Sequence, residues 1–171
     1  MANLTKLESK LAEVLGLAMA SQEAVDTVGA MLGDDGHPLA AMLKQMRDEA
    51  RETQKRCTDV AGTFDRKKTA IVEAAKETKA EAVAMMETYL EGEDDALDGF
   101  EFLTMAEAGE VGHWLIVSKL NQKAGDPEVR ALADWATAIQ QRHFQDVLDA
   151  SVQLAGDEDP AAEDVVLAPA G

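Results

Sequence analysis

Hydrophobic residues recur in this chain every three or four positions through five long segments, and nowhere do they alternate every second residue. Steps of three and four place side chains on one face of an α-helix, whereas a half-buried strand needs a period of two, so the pattern predicts an all-α fold. The first segment, Asn3 to about Leu32, carries Leu4, Leu7, Leu11, Val14, Ala18, Val25 and Leu32 on one stripe. The run Gly33-Asp34-Asp35-Gly36-His37-Pro38 ends it and supplies a proline where the next helix begins. The second segment extends to about Phe64 through Leu39, Leu43, Met46, Ala50, Cys57 and Ala61. The third, from about Asp65 to Leu90, has a thinner alanine-rich stripe of Ile71, Ala75, Ala82 and Met85, which marks a peripheral helix. After Glu91-Gly92-Glu93-Asp94-Asp95 the fourth runs to about Asn121 on Phe100, Leu103, Val111 and Trp114. Asp126 then serves as N-cap before Pro127, and the fifth carries Val129, Leu132, Ala136, Ile139, Val147, Ala150 and Leu154.

Short connections make the first and second helices one antiparallel hairpin and the fourth and fifth another, with the whole third helix in the link between them. Two hairpins joined by one long crossover is ferritin-like connectivity, so the expected architecture is a four-helix bundle with an additional helix in the crossover. Residues 1–156 form that bundle, and residues 157–171, rich in acids and small residues with no base, are expected to be an acidic disordered tail.

Composition narrows the function. With 46% apolar residues in 171 the chain can bury a real core, and its net charge of −17 repels phosphate backbones and anionic lipid heads. Nucleic acid and membrane are therefore not expected partners. No run of about 18 apolar residues is present to span a bilayer, and the first apolar stretch, Leu11 to Met19, is periodic and interrupted by Glu13, unlike a secretory leader. A single cysteine, Cys57, leaves no disulfide framework and no multi-cysteine metal site, which suits a reducing, cytoplasmic setting. On its helix stripe Cys57 reads as a buried inert thiol, and the methionines read as core filler. No glycine-rich phosphate loop or Ser-His-Asp order supports nucleotide hydrolysis or acyl transfer. Between Lys79 and Lys119 lie ten acids and neither lysine nor arginine; this is either a solvated face or a funnel that concentrates cations.

The informative residues are polar ones standing where the stripes demand apolar ones. Glu107 is central on the fourth helix with Glu110 at its edge, and His143 is central on the fifth with Gln140 on the same face. Gln22 lies between Ala18 and Val25 on the first helix; Thr53 and, at the margin, Glu49 stand on the second. All are near mid-length, so antiparallel packing should bring them to one level. Buried carboxylates need a partner, a proton or a cation. Two readings stay open: divalent ions, since hard metals take carboxylate oxygens with imidazole completing the shell, or a metal-free hydrogen-bond layer that fixes helix register. Glu110-x-x-His113 is the only literal Glu-x-x-His, but His113 lies off the stripe centre and reads as an edge histidine, while His37 in its loop reads as solvated.

Glu52-Thr53 with Arg56, Glu107-Ala-Gly-Glu110 followed by Trp114, and Ala124-Gly125 leading into Leu132, Gln141 and Leu148 together resemble the YciE/YciF-like, stress-associated branch of ferritin-like proteins, over about two-thirds of the chain. The resemblance implies a stress-associated bundle that forms a homodimer and holds a dinuclear iron or manganese site. Its ligands would be Gln22, Glu49, Glu107, Glu110, Gln140 and His143. The two glutamines and Glu49, where the family would place a histidine, make this a partial, degenerate site. A peroxide- or oxygen-activating oxidoreductase would need such a metal with open positions.

Overall fold

The computed structural model describes residues 3–33 and 36–161, and among them every regular element is an α-helix. They are α1 (Lys6–Met31), α2 (Pro38–Ala61), α3 (Lys68–Tyr89), α4 (Ala96–Ala124) and α5 (Pro127–Asp157).

Local chemistry sets most of the boundaries. Thr5 and Glu8 form a reciprocal capping box that satisfies the free N–H groups at the start of α1. Asp95 caps α4 through the Leu97 N–H, and Asp126 caps α5 through Glu128 and Val129, with Pro127 at the first helical position. Gly125, at φ 73°, takes the left-handed conformation that ends α4. Two expectations are corrected. His37 is the N-cap of α2, its Nδ1 accepting from the Leu39 N–H at 3.2 Å, rather than a solvated loop histidine. The second and third helices also do not abut at residue 64: α2 stops at Ala61, and residues 62–67 form turns in which Arg66 adopts φ 55°. The fifth helix continues to Asp157, one residue into the segment expected to be a disordered tail; residues 162–171 of that segment lie outside the described residues.

Packing follows the two hairpins. Along α1 and α2, Asp26 pairs with Arg47 and Gln22 with Gln54, an antiparallel register. Along α4 and α5, Thr104 meets Ser151 near one end while Glu107 meets Gln140 further on, again antiparallel. The hairpins join through α1 on α4 and α2 on α5, so neighbours run α1–α2–α5–α4 around a ring. Gly99 of α4 sits against Val28 and Met31 of α1, where a Cβ would come within 2.7 Å of the Met31 sulfur. The third helix lies outside the ring on α1, parallel to it: Lys67 reaches Glu8, and Gly16 admits α3 so closely that a Cβ would stand 2.6 Å from that of Thr78. Only Ile71, Ala75 and Met86 of α3 are buried, the peripheral role its thin stripe predicts, but Met85, expected on that stripe as core filler, is exposed and Met86 takes the inward place.

The apolar interior is divided in two. One half gathers Leu11, Leu15, Cys57, Ile71, Trp114, Val117, Val129 and Leu132; the other gathers Val25, Val28, Leu43, Met46, Met86, Phe100, Leu103 and Val147. Each draws on all five helices, and each large side chain buried there contributes about 1.5–3 kcal/mol. Polar side chains occupy the level between them.

Candidate functional site

That level contains Ser21 of α1, Glu49 and Thr53 of α2, Glu107 and Glu110 of α4, and Gln140 and His143 of α5. Glu107, 1% exposed, is the most deeply buried acid. The Gln140 amide donates to its Oε2, and the Ser21 hydroxyl approaches its Oε1 at 3.5 Å. His143, 3% exposed, lies between two carboxylates: Nε2 is 2.6 Å from Glu49 Oε2, and Nδ1 is 3.6 Å from Glu107 Oε2, an ion-pair distance rather than a hydrogen bond. Glu49 also accepts from Arg142 at 2.7 Å and from the Gln45 amide at 3.2 Å. Thr53 is turned onto its own helix, donating to the Glu49 carbonyl.

The titration of these groups follows from their neighbours. Burial pushes the His143 imidazole down, but Glu107 and Glu49 together outweigh it and raise the group above its ordinary value. Burial would raise Glu49, yet hydrogen bonds from Arg142, His143 and Gln45 hold it below the usual carboxylate range. Glu110 is pushed well above that range by burial and by the Glu107 charge beside it. Cys57 is likewise raised by burial and by Glu110, so it is a protonated core thiol, not a nucleophile.

Of the six residues singled out from the sequence, Glu49, Glu107, Gln140 and His143 make one connected network, and Glu110 adjoins it one turn along α4. Gln22 is not brought in. Its amide donates to Ala18 O and Gln54 Oε1 on the far side of α1, and Ser21 takes the inward place. Ser21 and Arg142 were missed. Ser21 completes the series Val14, Ala18, Ser21, Val25, Val28 at steps of four and three, but Leu11, Leu15, Ala18, Gln22, Val25 fits the same rule. A helix buried around most of its circumference offers both. Arg142 has no sequence signal, because its partner is on another helix. His113 is the expected edge histidine, 3.2 Å from Glu13 across α1 and α4.

The donor set does not fit a dinuclear metal. Both nitrogens of His143 face carboxylates, Glu49 is engaged by Arg142, and the amide nitrogen rather than the oxygen of Gln140 points at Glu107. Among the described residues no group of three or more His, Cys, Asp or Glu side chains is disposed to hold an ion. Instead two acids, Glu49 and Glu107, face two bases, Arg142 and His143, and the layer neutralises itself. No helix in the described residues is long and apolar enough to cross a membrane. Neither family models, curated proteins nor solved structures gave a match to this chain.

Proposed function

We propose that this protein is a ferritin-like helical bundle in which a self-neutralising charge layer stands where relatives of that architecture hold metal, and that it acts as a metal-free structural and interaction module. The observation that carries this is His143 held between Glu49 and Glu107, with Arg142 closing the other side of Glu49. The ferritin-like reading is supported by the ring order α1–α2–α5–α4 and by α3 as a helical crossover between the hairpins. Pairing as a homodimer belongs to the same proposal, supported by Leu115 and Ile116 standing exposed side by side on α4.

The test is to incubate the full chain with iron(II) or manganese(II), measure bound metal per chain, and follow urea denaturation of wild type and His143→Ala with and without metal. The expected result is metal well below one ion per chain, no metal-dependent gain in stability, and a loss of about 1–3 kcal/mol in His143→Ala that is equal in both forms. Light scattering on the same samples should give twice the chain mass. Two ions per chain, lost in Glu107→Ala, would establish the dinuclear site instead.

A further inference from the structure

Both α3 and α4 lean on α1 and meet each other at Tyr89 and Phe102, whose ring centroids are 5.5 Å apart, and a crevice of about 260 Å³ opens between the two helices. Its walls are apolar, formed by Leu17, Ala24, Val83, Met86, Leu103 and Ala106, and it reaches inward to Ser21, Glu107 and Glu110. Glu110 is 7% exposed, lines the crevice, and makes no hydrogen bond to the protein, so the crevice is where its carboxyl can find a partner. Its neighbour Glu107 bears a second acid one turn away. Burial and the Glu107 charge keep a proton on Glu110, and a cation seated in the crevice would take that proton's place. No lysine or arginine lines the crevice, none occurs between Lys79 and Lys119, and the histidine that does line it, His113, lies against Glu13 at 3.2 Å.

We propose that this crevice binds a small hydrophobic amine, its apolar body between α3 and α4 and its ammonium group donating to Glu110 and Glu107. Each part of the site selects this chemistry. A bare divalent ion would need about six oxygen ligands, and the apolar walls supply none. A fatty acid would bring another carboxylate up to the Glu107 charge, into a molecule of net charge −17. A neutral alcohol would fill the walls but bring Glu110 a single donor and no charge, whereas an ammonium brings three donors and a charge. An enclosed apolar cavity of roughly 150 Å³ accepts benzene, so the space suits a chain or ring somewhat larger. The site shares Glu107 and Glu110 with the dinuclear-metal reading, and a test run with a chelator present distinguishes the two.

Octylamine, octanol and octanoate, each titrated calorimetrically into the full chain at neutral pH with a chelator present, test this. One octylamine should bind per chain, octanol about 10-fold to 100-fold more weakly, and octanoate not detectably. Glu110→Gln should weaken octylamine by the same factor while leaving octanol unchanged, and Ala82→Leu, which fills the crevice, should weaken both. Circular dichroism establishes that each variant is folded. Equal affinity for amine and alcohol, preference for octanoate, or octylamine binding indifferent to both variants would overturn the proposal. So would a dimer that binds no octylamine until it dissociates, since a second copy would then be the occupant.

Discussion

His143 carries an acid at each ring nitrogen, so its protonated form is what the fold selects, and this has a definite sign in pH. A histidine whose value is raised in the folded state contributes stability that is fully present below its unfolded value, about 6.5, and is lost as pH rises through the folded value. Glu110, also raised, acts in the same direction from a lower starting point, near 4.3, because the folded state holds its proton while the unfolded state releases it. Glu49, lowered, works oppositely, and its contribution disappears only in acid. Denaturant midpoints of the metal-free protein should therefore fall as pH rises above about 6.5, and His143→Gln should flatten that decline. A decline of unchanged slope in the variant would mean that the charge on His143 does not hold the layer together.

At the level of elements, α3 depends on one residue that has no side chain. Gly16 lets the backbone of α3 at Ala75 approach α1, and a methyl group there would meet Thr78 and the Ala75 carbonyl. Because the obstacle includes backbone, α3 must shift as a body; Gly16→Ala should cost about 1–3 kcal/mol by urea denaturation, although alanine is the better helix former. Unchanged stability would show that α3 is loosely held. Periodicity identified all five helices, because each buries a stripe that its neighbours define. It failed where that rule loses meaning: α1, packed by α2, α3 and α4, buries so much of its circumference that steps of three and four pass through Gln22 as readily as through Ser21, and the stripe drawn from them took in Gln22 alone. Boundaries were legible where a cap was written locally, as at Asp126-Pro127. They were not legible at Ala61, where α2 ends on Gly62 and the following turns hold Arg66 at positive φ. Of the candidate site, the buried acids and His143 were readable as polar residues out of place. Their pairing was not, because Arg142 acts on Glu49 from another helix.

For the whole molecule, the two apolar halves meet only across a layer of charges whose strength comes from matching rather than from burial. All five helices contribute to each half, so either can stay packed while the other loosens, in the manner of separate cooperative units. The half containing Phe100 and Leu103 borders the crevice between α3 and α4, whereas the half containing Trp114 and Val129 does not. Hydrogen exchange should accordingly release the amides of residues 83–90 and 100–103 before those of residues 114–117 and 129–136. Simultaneous exchange would mean a single unit. The polar level thus serves as a firebreak: one end of the bundle can breathe and admit a guest while the other end keeps the fold's memory, so entry never requires the molecule to come apart.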